Sequence, residues 1–158
     1  MDETEKQQLF GRFHHLTDHL KILNDLLTVN VSEHDLLPVD KTNRLLDSSV
    51  LWRSNQPFFF ATVKFEDGSI MAKHFISKFA SHKCSPYIVV TKYSLDCGAT
   101  IIPSLDVVSY VFPWEGDEVY FLSQDDTEMI FLSWYEDSDG KRKMDILFFH
   151  DFGSMITE

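Results

Sequence analysis

Glycine is scarce in this 158-residue chain, with 6, and cysteine is scarcer, with 2. So few glycines leave little material for phosphate-cradling loops, and neither G-x-x-x-x-G-K-[ST] nor G-x-G-x-x-G occurs. A G-x-S-x-G nucleophile elbow is missing as well. Cys84 and Cys97 form no C-x-x-C pair, and in a reducing compartment both are expected as free thiols. Their separation also permits a disulfide. No apolar run approaches the roughly 18 residues that a membrane span needs. The opening MDETEKQQ is acidic and polar, with no apolar stretch after it, so no secretory leader and a cytoplasmic location are expected.

Basic residues are also in short supply. Lys and Arg number 14 against 25 Asp and Glu, for a net charge of -11. Naked nucleic acid and an anionic membrane are poor partners for such a field, because both demand a basic surface. A basic protein is the partner this charge favours. The excess is uneven. Residues 113–158 hold 12 acids and 3 bases, whereas residues 58–112 hold 4 acids and 5 bases.

What the chain has in quantity is apolar and aromatic mass: 44% hydrophobic residues and 14 Phe. A chain of this length is expected to be one domain, 1–158, with enough core to fold without a metal or disulfide. The expected class is α+β, with a helical layer over 1–57 packed on a mainly antiparallel sheet of about six strands over 58–158. Leu9, Phe13, Leu16, Leu20, Leu23 and Leu27 recur at three- and four-residue steps and predict one buried helical stripe. A second helix is expected from Asp40 to about Arg53. Asp67-Gly68, between FFFATVKF and SIMAKHFI, predicts a hairpin. PYIVVTKY, TII and VVSYVF read as further strands, although MAKHFISKFAS and SLDVVSYVF also admit helical turns, the latter with Ser104 as cap. EVYFLS, EMIFLSWY and KMDILFFH predict a three-stranded C-terminal meander. Its middle strand is apolar on both faces, so both need cover. The N-terminal helices supply one. A curled sheet or a second subunit, making a homodimer, would supply the other.

Three clusters raise metal chemistry. His15 and His19 are one helical turn apart, with His14 and Asp18 beside them, but a third ligand is wanting. The expected role is a solvated flank of the helix. Asp137-Ser138-Asp139-Gly140 resembles the start of a calcium loop, but its glycine comes two positions early and Phe148 stands where the bidentate Glu belongs. His150-Asp151 ends the last strand without companion ligands. No cofactor or metal site is expected.

The candidate site is an acidic, aromatic surface formed by Trp114, Glu115, Asp117, Glu118, Tyr135, Glu136, Asp137 and Asp139. In a meander, alternate turns project from the same end of the sheet, so the 115–118 and 136–139 turns should come together. Aromatic anchors with a charged rim suit a protein interface. The expectation is a non-catalytic acidic binding protein that neutralises a basic protein partner. In size and charge it resembles the immunity proteins that cap the active site of a nuclease-type toxin. A phosphate-mimicking inhibitor of a host or phage nucleic-acid enzyme is the alternative. A small metal-dependent hydrolase using the His14-His15-His19 cluster is the second. Direct nucleic-acid or membrane binding is not expected.

Overall fold

The computed structural model describes residues 3–54, 56–80, 85–113 and 115–150. It is an α+β fold built on one six-stranded sheet. The helices are α1 (Glu3–Leu26), α2 (Val39–Ser48), α3 (Gly68–Phe79) and the one-turn α4 (Ser94–Cys97). The strands are β1 (Phe59–Lys64), β2 (Tyr87–Thr91), β3 (Thr100–Ile102), β4 (Asp117–Ser123), β5 (Glu128–Glu136) and β6 (Arg142–His150). Their order across the sheet is β1-β6-β5-β4-β2-β3, and every neighbouring pair is antiparallel. The β4–β5–β6 meander is the one the alternation predicts. It is inserted between β1 and β2, which run in the same direction and are joined by α3.

The two N-terminal helices lie on opposite faces rather than forming one layer. Leu23 and Leu26 of α1 share a core with Ala72 and Ile76 of α3 and with Val89, Phe121, Ile130, Leu132, Met144, Ile146 and Phe148 of the sheet. Leu46 of α2, with Leu51 and Trp52 just after it, packs on Ile88, Val90, Leu122, Met129 and Phe149 of the other face. Cover for the second face of β5 therefore comes from within the chain. It is partial: α2 is 10 residues long and shelters only part of that face.

Several local expectations are overturned. Asp67-Gly68 makes no hairpin. A 3-10 turn at Phe65–Asp67 leads directly into α3, with Gly68 itself at φ -58°, ψ -45°. Gly68, Ala72 and Ile76 recur every four residues and are all buried, and this helical ridge under Met144 outweighs the turn propensity. VVSYVF forms no strand. Ser104 instead caps a 3-10 turn at Leu105–Val107, its hydroxyl accepting from the Asp106 N–H. α2 starts one residue before Asp40 and ends at Ser48, well short of Arg53.

The predicted stripe of α1 is buried only at its C-terminal end. Leu23 and Leu27 are buried, while Leu9 and Phe13 are 53% and 85% exposed. The N-terminal half packs on α4 through a different face. Gly11 lies so close to the Asp96 carboxyl that a Cβ would stand 2.7 Å from its carbon. His15 stacks on Tyr93 at 4.5 Å between ring centroids, and Arg12 donates to the Cys97 carbonyl at 3.2 Å.

Candidate functional site

Strand register determines which side chains share the open part of the outer face. Glu118, Ser133, Asp145 and Thr62 lie opposite one another across β4, β5, β6 and β1. One step toward α2, Tyr120, Phe131, Leu147 and Phe60 form the next row. One step the other way come Tyr135, Lys143 and Lys64. The aromatic row is only half-buried, and Phe60 at its end is 57% exposed. Tyr120 stacks on Phe131 at 4.3 Å, and Trp52 meets Tyr120 edge-on at 4.7 Å. The face thus presents an aromatic strip beside a polar one. Asp145 is the hub of the polar strip, accepting from the Thr62 hydroxyl at 2.7 Å and the Tyr135 hydroxyl at 2.9 Å. Burial, that hydrogen bond and the charges of Asp145 and Asp137 raise the pKa of the Tyr135 hydroxyl above its ordinary value.

The 115–118 and 136–139 segments do share one end of the sheet, since Asp117 is opposite Trp134 and Glu136 opposite Arg142. The carboxylates there divide into two groups. Asp137 organises its own hairpin: its side chain accepts from the N–H groups of Asp139 and Lys141, each at 2.9 Å, and from Lys143 at 2.9 Å. These bonds, Lys143 first, lower its pKa below the ordinary carboxylate range and raise that of Lys143. Asp117, with a side chain only 9% exposed, accepts from the Glu118 N–H at 2.8 Å and lies 3.7 Å from Lys92. Both therefore serve the turns. Glu115, Glu136 and Asp139 are exposed and Glu118 half-exposed, and these are the carboxylates displayed outward. Glu136 also borders an open depression of about 480 Å³ with Glu66, Gly140 and Arg142. Trp114 lies outside the described residues. The neighbouring indole that can be placed is Trp134, buried, whose N–H donates to the Glu115 carbonyl at 2.8 Å and pins the turn to the core.

The acidic excess of the last third is divided between the two ends of the sheet. Asp125, Asp126 and Glu128 lie at the far end and are structural. Asp125 accepts from the hydroxyls of Ser123 and Thr127. Asp126 accepts from the Ser49 hydroxyl at 2.6 Å and the Val50 N–H at 3.0 Å, tying the end of α2 to the sheet. Glu128, 4% exposed, accepts from the Tyr87 hydroxyl at 2.8 Å. Lys141, Arg142 and Lys143, the only bases of the last third, all fall at the end with the candidate site.

The histidine cluster is a solvated flank only at His14 and Asp18, which are exposed. His19 is fully buried, and its two ring nitrogens lie 2.9 Å from the Thr91 hydroxyl and 2.8 Å from the Gly98 carbonyl. The carbonyl requires an N–H at Nε2, so Nδ1 accepts from Thr91. Both nitrogens are thereby used, and His15, stacked on Tyr93, does not converge with them on a common ion. Burial, offset in part by the bond to Gly98, lowers the His19 pKa. Among the described residues no group of three or more His, Cys, Asp or Glu is arranged to hold a metal. Asp137-Ser138-Asp139-Gly140 is a β5–β6 turn, with Gly140 at φ +77°. Cys97 is a buried free thiol pushed up to about 11 by burial and by Asp96, while Cys84 and Asp151 lie outside the described residues.

Asp145, Lys143, Thr62 and the aromatic row escaped the sequence reading. Their signal was the alternation in KMDILFFH, where Lys143, Asp145 and Leu147 interleave with Met144, Ile146 and Phe148. No described helix is long and apolar enough to cross a membrane. No protein-family model matches the chain, and neither a curated protein nor a solved structure matches it significantly.

Proposed function

We propose that this chain is a non-catalytic binding protein that caps a basic protein partner with the open half of its outer sheet face. The observation that carries this reading is the row Tyr120–Phe131–Leu147–Phe60, left half-covered by α2 and bordered by Glu118 and Asp145. Interfaces pair aromatic anchors of this kind with a charged rim. Glu115 and Asp139 extend the rim at the adjoining turns, and Glu136, which the pleat turns toward the α3 side with Arg142, adds charge at the same end. The net charge of -11 would speed encounter with a cationic surface, and the local carboxylates would orient it. A nuclease-type toxin, whose active site is basic because its substrate is a polyphosphate, is the partner class that fits, and the protein would act in the cytoplasm.

The test is affinity capture from lysate of the source cells, with the retained proteins identified at low and high salt. The comparison is a variant carrying Glu115→Gln, Glu118→Gln, Glu136→Gln and Asp139→Asn together. The reading expects one basic protein retained by the wild type, weakened by salt and lost with the variant. Equal retention by both would refute it. An inhibitor that mimics nucleic acid on a larger enzyme shares these expectations, and the identity of the captured protein separates the two.

A further inference from the structure

The two edges of the sheet are treated differently. β3 is 3 residues long, is followed by Pro103, and has the 36–37 segment alongside it through the Leu36–Thr100 bridge and the Leu37 N–H to Ala99 carbonyl bond at 2.8 Å. Those are ordinary ways of blunting an edge. β1 is longer and has no described segment along its outer side, and its nearest proline, Pro57, stands before Phe58 rather than next to the strand. Its 6 residues, FFATVK, pair with β6 in unbroken register, contain no proline, and carry a charge only at Lys64. Among the described residues nothing pairs with its outer side. An unblunted apolar edge of this length is a template for another strand.

We infer that β1 pairs antiparallel with β1 of a second copy, joining two sheets into one of twelve strands about a two-fold axis at Thr62. A second copy is the occupant because antiparallel pairing of one strand with itself is self-complementary, as a two-fold interface requires. The pleat restricts the register. Phe60, Thr62 and Lys64 face outward while Phe59, Ala61 and Val63 face the α3 side, so outward residues must meet outward residues. Centring on Thr62 places each Phe60 opposite the second copy's Lys64. That gives the exposed ring a cation and a cross-strand partner. Centring on Ala61 sets Lys64 against Phe58, whose ring already packs on Phe79 and Phe148. Centring on Val63 draws the two Lys64 side chains toward each other. The Thr62 axis also makes the row Tyr120–Phe131–Leu147–Phe60 continuous with the polar rows of the second copy. The edge pairing does not depend on what docks on the outer face, although Phe60 borders both.

Two measurements test it. Sedimentation velocity at about 100 µM should show the wild type as a dimer and Thr62→Lys as a monomer, because the substitution sets two ammonium groups at the axis. The new lysine lies beside Asp145, so the fold is retained, and circular dichroism checks this. Thr62→Cys should then form a covalent dimer under mild oxidation, whereas Lys64→Cys and the wild type, with its own two cysteines, should not. A wild-type monomer at that concentration overturns the inference, as does a dimer that Thr62→Lys leaves intact. Cross-linking of Lys64→Cys in preference to Thr62→Cys overturns the register.

Discussion

Replacing His19 with alanine should destabilise the protein by about 2–5 kcal/mol. The figure follows from what the ring does. It donates to the Gly98 carbonyl and accepts from Thr91 at a position with no solvent access. Alanine leaves both groups without that partner, at about 1–3 kcal/mol each, and opens a cavity. Equilibrium unfolding in urea at pH 7.5, with an unchanged m-value, reads the loss. Glutamine should recover part of it, because its amide can donate to Gly98 and accept from Thr91. The pH dependence separates the ring's chemistry from its bulk. Burial depresses the folded pKa below 6.5, so as pH falls through 6.5 the unfolded chain takes up a proton that the folded one refuses. The stabilisation is therefore complete above about pH 7.5. It is lost as pH drops below 6.5, with a slope of at most about 1.4 kcal/mol per pH unit, and levels off at the depressed value. Wild type minus His19→Gln, followed from pH 7.5 to 5.5, isolates this slope. A loss under about 1 kcal/mol for alanine, or parallel pH profiles for wild type and glutamine, would refute the reasoning.

Two further substitutions test how the site is positioned. Gly98→Ala should be strongly destabilising, seen as a large fall in Tm, because the residue sits at φ +96° and a Cβ would collide with the Leu37 carbonyl. Asp126→Ala should cost about 1–3 kcal/mol and speed amide exchange in α2, since it removes the acceptor for the Ser49 hydroxyl and the Val50 N–H. Asp126→Asn should cost less, because asparagine tolerates the residue's φ of +60° and keeps one acceptor.

The meander was readable because strand alternation survives where turns are short and polar, and the common end of its two acidic turns followed from that topology. α1 was readable as a helix but not in its contacts. Periodicity identifies an apolar stripe, yet what covers each part of it depends on where the helix runs. Here the part of the helix from Gly11 to His19 passes onto α4, where Gly11, His15 and His19 make the contact and Phe13 is left outside. Asp67-Gly68 carries a turn signal that the buried ridge of Gly68, Ala72 and Ile76 overrides. The division of carboxylates into structural and displayed was hidden for a different reason. Asp117 and Asp137 are taken up by Lys92 and Lys143, and strand register brings those lysines into place. Asp126 and Glu128 are taken up by Ser49 and Tyr87, which are distant in sequence.

The central claim is that the open outer face, with the carboxylates bordering it, is a docking surface for a cationic protein. The most direct test is calorimetric titration of the captured partner into wild type, Phe131→Ala and the four-carboxylate variant, each at about 50 and 300 mM salt. The account predicts at least about tenfold weaker binding for each variant, with a salt dependence that is steep for wild type and Phe131→Ala and flattened once the carboxylates are neutralised. Unchanged affinity in both variants would contradict it and place the interface elsewhere.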